Sequence, residues 1–172
     1  MSTRSGPQIP PEVTRLVDRF NNLPRNEKAP SGLVDNYWHF EIRHVPIPPP
    51  GDLLFIINPP SKYVHCEKLP IASGETDMEK ISMVVALGLL KGFVDSLGGN
   101  QFGNTVPSYA PWRWSVKTQD AALGRAVERQ LTLLGVRREL LNIGVTSASD
   151  AAVAEESWNG VYGGIRAAVG LR

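Results

Sequence analysis

A strictly alternating stretch, NYWHFEIRH at residues 36–44, constrains the fold more than any other part of the sequence. Alternation with a period of two is typical of a β-strand whose faces meet different environments. One face carries the apolar side chains Trp38, Phe40 and Ile42. The other face carries the polar and aromatic side chains Tyr37, His39, Glu41 and Arg43. The stretch therefore predicts a half-buried strand in a sheet with one apolar face for helices to cover.

The rest of the chain divides into segments with the periodicity of helices or strands. Helical patterns of apolar residues occur at 12–20, 76–97, 118–134 and 147–165. Short runs typical of strands occur at 53–58, 112–116 and 137–145. The order α-β-β-α-β-α-β-α predicts the α/β (α+β) class, as a single two-layer domain with a mixed sheet of about four strands and helices mainly on one face.

A chain of 172 residues suits one domain with a short addition. Prolines and small polar residues at 1–11 predict a flexible N-terminal tail. Residues 12–32 are expected to form a short helix and a linker, and residues 33–172 the single α/β domain. The 42% hydrophobic and 20% charged content is typical of a globular chain.

Charge and cysteine content limit the partners and the compartment. The 18 basic and 17 acidic residues leave a net charge of +1, which does not favour nucleic acid as a partner. Cys66 is the one cysteine, and the N-terminal residues lack an apolar signal core. The apolar run at 81–97 is too short and too interrupted to span a bilayer. We therefore expect an intracellular protein, cytoplasmic or nuclear, with no membrane partner.

The familiar catalytic and metal-binding motifs are absent from the sequence. His39 and His44 lie five residues apart, so on one strand they point to opposite faces. His65 and Cys66 are sequence neighbours, which on an extended chain prevents a Cys–His dyad, and they lack zinc-ligand spacing. We predict no metal and no cofactor, and the sequence identifies no catalytic residue.

One polar constellation remains as a candidate binding surface. Arg113, Ser115 and Lys117 alternate with Trp112, Trp114 and Val116 in the third predicted strand. If the helices cover one side of the sheet, the polar faces of the first and third strands share the other side. This predicts a mixed-charge face for a peptide segment or an anionic ligand, and the competing interpretation is an ordinary solvated sheet surface. The candidate binding residues are Tyr37, His39, Glu41, Arg43, Arg113 and Lys117.

The segment from about residue 107 to residue 165 resembles part of some uncharacterised fungal proteins, a few of which carry a MYND zinc finger elsewhere. The resemblance rests on a P-W-x-W pattern, then T-x-D-x-x-L-x-x-A-V, then L-x-x-L-G-V-R. Its anchors here are Trp112, Trp114, Leu123, Ala126, Val127, Leu134, Gly135, Val136, Arg137 and Trp158. The resemblance implies a fungal source and an α/β module, but no activity and no zinc site.

Three functions from different classes follow. The leading hypothesis is a non-enzymatic interaction module that binds a protein partner, or a second copy of itself, through an open sheet face or an edge strand. The alternative is a small-molecule enzyme that uses His39 or His44 with an acidic partner such as Glu41 in a cleft. The third is single-stranded nucleic-acid binding, which requires Trp112 and Trp114 to be exposed.

Overall fold

The computed structural model describes residues 6, 8–99 and 106–171. Within them the helices are α1 (Pro11–Asn21), α2 (Met78–Val94), α3 (Ala121–Leu134) and α4 (Ala148–Ala168). The strands are β1 (Tyr37–Val45), β2 (Gly51–Asn58), β3 (Tyr63–Leu69), β4 (Arg113–Val116) and β5 (Ile143–Val145). They form one sheet in the order β3-β2-β1-β4-β5. The pairs β1–β2 and β2–β3 are antiparallel, whereas β1–β4 and β4–β5 are parallel.

The predicted α+β class and mixed sheet are confirmed, but the expected number of strands is corrected from about four to five. The strand that the sequence interpretation missed is β3. Its side chains include His65, Glu67 and Lys68, and most of them are only partly buried. An edge strand with polar groups on both faces has a weak hydrophobic pattern, so periodicity alone does not indicate a strand there.

The first three helices cover the face of the sheet that carries Trp38, Phe40, Leu54, Ile56, Trp114 and Val116. α1 is part of this core, because the Phe20 ring is fully buried and stacks on Trp114 at 6.0 Å between ring centroids. The helix of the predicted segment 12–32 is therefore packed into the domain. Of the predicted tail 1–11, residues 1–5 and 7 lie outside the described residues.

The fourth helix lies on the opposite face, which corrects the expected two-layer arrangement. Phe55 and Ile57 of β2 point to this side, and Trp158 of α4 packs edge-on against Phe55 at 5.5 Å between ring centroids. β2 is thus apolar on both faces, as a strand must be when helices cover both sides. The domain has a helical layer on each side of the sheet, and we call these sides the α1–α3 face and the α4 face.

Candidate functional site

Polar side chains gather on the α4 face where β1, β4 and β5 lie side by side. The parallel register places His39 beside Ser115, and Ser115 beside Gly144. Residues paired in register share a face of the sheet, so their side chains meet. Thr146 directly follows β5 and reaches the same place. We call this group the polar cluster: His39, Glu41, Arg43, Ser115, Lys117 and Thr146.

Glu41 is the centre of charge in the polar cluster. It is 1% exposed, and its Oε1 accepts a hydrogen bond from Arg43 Nε at 2.5 Å. Its Oε2 lies 3.3 Å from Lys117 Nζ and 3.4 Å from His39 Nε2. A buried carboxylate is tolerated only when cations and donors surround it, and these three side chains provide them.

The surroundings of Glu41 keep it ionised. Burial alone would raise its pKa, but the contacts with His39 and the Arg43 guanidinium outweigh that effect and lower the pKa to about 2. Arg43 is held from the other side by the Glu155 carboxylate of α4. Glu41 is thus a permanently charged carboxylate that the cations of the cluster surround.

The hydroxyl groups of Ser115 and Thr146 extend the cluster toward solvent. Thr146 Oγ1 lies 2.6 Å from His39 Nδ1 and 2.6 Å from Ser115 Oγ. His39 is 1% exposed, and among the described residues its Nε2 has no partner that meets hydrogen-bond geometry, although Glu41 is at ion-pair distance. Ser115, Thr146, His39 and Glu41 thus lie in a row, at hydrogen-bond distance from Ser115 to His39 and at ion-pair distance between His39 and Glu41.

This row ends at a concave surface, which we call the polar pocket, with a volume of about 550 Å³. Its lining is rich in hydroxyl and charged groups: Asp35, Tyr37, Arg113, Trp114, Ser115, Asn142, Gly144, Val145, Thr146, Ser147 and Asp150. Tyr37 donates its hydroxyl hydrogen to Asp150 Oδ2 at 2.7 Å. Burial, together with Asp150, raises the pKa of Tyr37 to about 12, so this phenol stays protonated. The pocket therefore contains stable donors and acceptors beside the polar cluster.

The structure places the six predicted binding residues on the same side of the sheet in two groups, four in the polar cluster and two at the polar pocket, but it does not leave them on an open sheet face. His39 and Glu41 are buried, and the Arg43 guanidinium lies 5.4 Å from the centroid of the Trp158 ring. Tyr37 and Arg113 line the polar pocket, with the Arg113 guanidinium 5.6 Å from the centroid of the Tyr37 ring. The expectation of an open face was wrong, because α4 crosses that face and pairs with it through Glu155 and Asp150.

Sequence reasoning missed Thr146 altogether and treated Ser115 as one more polar residue of a strand. The available signal was the position of Thr146 between a short strand and Ser147, whose hydroxyl accepts the Asp150 amide and caps α4. A residue at a strand-to-helix junction is held rigidly at both ends. Such junctions are frequent positions for functional side chains.

The remaining histidines and the cysteine lie apart from the polar cluster. His44 is exposed and pairs with Asp52, with His44 Nδ1 3.0 Å from Asp52 Oδ1. His65 Nε2 lies 2.8 Å from Glu67 Oε1 on the α1–α3 face. Burial, and then Glu67, raises the pKa of the Cys66 thiol to about 11, which makes it a poor nucleophile. Of the described residues, no three or more His, Cys, Asp or Glu side chains are grouped so that they could hold a metal ion.

The tryptophans do not offer faces for base stacking. Trp114 is 2% exposed and packs among aromatic rings of the core. The Trp112 ring is partly buried and lies under the Arg25 guanidinium, 4.2 Å from its centroid. The condition for single-stranded nucleic-acid binding through this pair is therefore not met.

A second candidate site lies at the β3 edge of the sheet. In the described part of the chain β3 pairs with β2 alone, and no other backbone hydrogen bond reaches residues 64–68. Beside it is a groove of about 820 Å³ between α1, α2 and the end of β3. We call it the β3 groove, and its apolar lining residues are Val13, Leu16, Leu69, Pro70, Val84 and Leu87. Such an edge combines free backbone groups with an apolar surface.

No helix in the described residues is long and apolar enough to cross a membrane. No protein-family model matches the chain, and no curated protein matches it either.

Proposed function

We propose that this chain is an interaction module that binds an extended segment of a protein partner along β3. The observation that carries the proposal is the unpaired outer edge of β3, a strand of seven residues next to the β3 groove. An exposed edge strand presents a row of N–H and C=O groups that another chain can pair with. Strand addition of this kind gives affinity through the backbone and specificity through pockets for alternate side chains.

The chemistry of the β3 groove indicates what kind of segment it takes. Its lining is mainly apolar, and its charged residues nearly balance: Arg15, Arg19, Lys68 and Lys91 against Glu12, Glu67 and Asp95. A strongly charged segment would gain little there. A strand with apolar side chains at alternate positions would bury them against Leu16, Leu69 and Leu87. The partner segment is therefore extended and apolar on one side.

The two faces of the sheet support the choice of the edge. The α1–α3 face is filled by the core, and α4 covers the apolar half of the other face. The opposite edge strand, β5, has three residues and offers a shorter row of backbone groups. β3 is thus the longest unpaired stretch of backbone in the sheet as described.

Selection of extended nonapeptides from a phage-displayed random library, followed by amide N-methylation of a selected peptide, tests the proposal. The amides of an extended peptide point alternately toward β3 and away from it. Methylation of the amides that point toward β3 removes the hydrogens that would pair with it, and we expect the affinity to fall at least about tenfold. Methylation of the amides that point away from β3 should leave the affinity unchanged. An equal loss of affinity for the two sets of methylated amides would contradict pairing with β3.

A charge in the groove provides the matched control. Leu87→Glu introduces a carboxylate into the β3 groove and should abolish binding of the selected peptide. Leu133→Glu places the same charge on a leucine that is already exposed on α3, and binding should be unchanged. Sedimentation of the free protein separates this proposal from self-association, since a second copy that supplied the strand would appear as a dimer that Leu87→Glu dissociates.

The fungal relationship and the intracellular location remain predictions from the sequence. The enzyme alternative, by contrast, has a specific observation in its favour, the row of polar groups that ends at Ser115.

A further inference from the structure

We infer that Ser115 is a nucleophile in the polar pocket, that Thr146, His39 and Glu41 form its proton relay, and that the substrate is a small carboxylic ester. This activity is separate from the binding of a segment at β3. It rests on a cluster of side chains that meet from β1, β4 and the junction between β5 and α4.

The direction of the relay follows from the charge on Glu41. A carboxylate 3.4 Å from His39 Nε2 favours the tautomer that carries its hydrogen on Nε2. His39 Nδ1 is then an acceptor, so the Thr146 hydroxyl donates to it over 2.6 Å. Thr146 Oγ1 in turn accepts the hydrogen of Ser115, also at 2.6 Å. The hydrogen of Ser115 thus points into the relay, and its oxygen lone pairs are free for the pocket.

The burial of the groups fits these roles. His39 and Glu41 are each 1% exposed, and Thr146 is 8% exposed, so water does not compete along the relay. Ser115 is only partly buried and lines the polar pocket. A nucleophile must be reachable, whereas the base and the group that orients it are best held in a dry and rigid place.

The shape of the pocket leaves room for a substrate over Ser115. Its neighbour on β5 is Gly144, and a Cβ atom built there would meet no atom of the described residues within 4 Å. Ser147 and Asp150, in the first turn of α4, also line the pocket. The Asp150 amide already donates to Ser147 Oγ, so α4 contributes the partial positive charge of its start rather than a free amide donor.

The chemical step balances with water as the only co-reactant. Ser115 Oγ attacks the ester carbonyl carbon while its proton passes to Thr146 Oγ1 and the Thr146 proton passes to His39 Nδ1. The tetrahedral intermediate expels the alcohol, which leaves with a proton returned through the relay. Water then attacks the acyl group on Ser115 by the same route and releases the carboxylic acid. An alcohol is a better leaving group than an amine, which favours esters over amides.

Two probes test the inference: labelling by an alkyl fluorophosphonate, located by peptide mass spectrometry, and hydrolysis of p-nitrophenyl acetate. We expect the label on Ser115. In Ser115→Ala the labelling should disappear, and the hydrolysis rate should fall about 100-fold or more. Ser149→Ala is the matched serine control, near the same helix start but outside the relay, and should react like the unchanged protein.

The relay has its own readout. Thr146→Val removes the hydroxyl at nearly constant shape and should reduce the rate about 100-fold, whereas Thr146→Ser keeps the hydroxyl and should retain most of the rate. Gly144→Val adds a side chain in open space, so the protein should fold normally, while access to Ser115 is blocked and labelling is strongly reduced. Absence of label on Ser115 in the unchanged protein, or equal rates in Thr146→Val and Thr146→Ser, would overturn the inference.

Discussion

The two faces of the sheet bury different kinds of side chain. On the α1–α3 face, Trp38, Phe40 and Trp114 interlock with Phe20 and Phe93, with ring centroids 5.5 to 6.4 Å apart. The α4 face is divided. Phe55 and Ile57 pack against Trp158 over one half, while the polar cluster fills the other half.

The fold does not need charged groups in the polar half of the α4 face for its stability. Apolar residues of similar volume generally serve as well as buried ion pairs, or better, because desolvation of charges costs much of what their attraction returns. A buried carboxylate with two cations and a histidine is therefore expected to stabilise the polar half no more than apolar residues of the same volume would. The polar cluster is connected to the polar pocket through Thr146 and Ser115, which is the connection that the proposed proton relay uses.

Truncation of Trp114 on the α1–α3 face should give the largest loss of stability. Trp114→Ala removes the ring that touches Phe20, Phe40 and Phe93, and should lower the free energy of unfolding by about 3–5 kcal/mol. Urea denaturation followed by circular dichroism measures it. Trp112→Ala is the matched control, because that ring is only partly buried, and a comparable loss there would contradict the assignment of the core to Trp114.

Acid should weaken the α4 face through Glu41. Its pKa is lowered from 4.5 to about 2 in the folded protein, so the folded state binds fewer protons than the unfolded state between these values. The stabilisation is present above the unfolded pKa and is lost as the pH falls from about 5 to about 2, to a total of about 3 kcal/mol. Urea denaturation at pH 7, 4 and 3 measures this loss.

Glu41→Gln is the comparison for that series. The amide does not titrate, so the acid-dependent loss should shrink by about the same amount, and at pH 7 the variant should be less stable because Arg43 and Lys117 lose their charged partner. An unchanged pH dependence in Glu41→Gln would show that other carboxylates account for it.

Loosening α4 should expose the α4 face without unfolding the domain. Trp158→Ala removes its main apolar contact with Phe55, so α4 should detach locally more often. Cys66, which packs against this apolar half, reports on the detachment, and its alkylation by iodoacetamide should become about tenfold faster. The control is Trp114→Ala, compared with Trp158→Ala under conditions in which the two variants have the same global free energy of unfolding. The rate of Cys66 alkylation should rise less in Trp114→Ala. An equal rise would mean that α4 does not detach independently of the rest of the domain.

A pair of glycines gives the smallest and most local comparison. On the α1–α3 face, a Cβ atom at Gly124 would lie 3.0 Å from Val116 Cγ2 and 3.4 Å from Ile143 Cγ2. On the α4 face, a Cβ atom at Gly144 would have no neighbour within 4 Å in the part of the chain that the structure describes. Gly124→Ala should therefore destabilise by about 1 kcal/mol despite the better helix propensity of alanine, while Gly144→Ala should stabilise by about 0.5 kcal/mol. Thermal unfolding of both variants measures these changes in stability. Changes of the same sign in both variants would contradict the difference between the two faces.

Much of the local structure could be predicted from the sequence, because periodicity determines which side chains share a face. The alternation in β1 correctly separated Trp38 and Phe40 from His39 and Glu41. The helical pattern likewise predicted that Ala154 and Trp158 of α4 point inward. These assignments depend only on neighbouring residues along one element.

The relations between elements could not be predicted in the same way. A helical stripe at Ala154 and Trp158 indicates an inward face but not the side of the sheet that it meets, so the sequence does not reveal that α4 lies on the polar side. The contact of Thr146 with His39, 107 residues earlier, depends on the strand order, which periodicity does not contain. β3 escaped detection because an edge strand needs only partial burial.

We propose that a partner is recognised at the β3 edge, and amide hydrogen exchange of β3 tests this most directly. Exchange is measured by nuclear magnetic resonance with and without a selected extended nonapeptide. We predict that the outward amides among residues 64–68 become protected when the peptide binds, while amides already paired with β2 change little. Protection that appears only around the polar pocket or on α4, with β3 unchanged, would contradict the account.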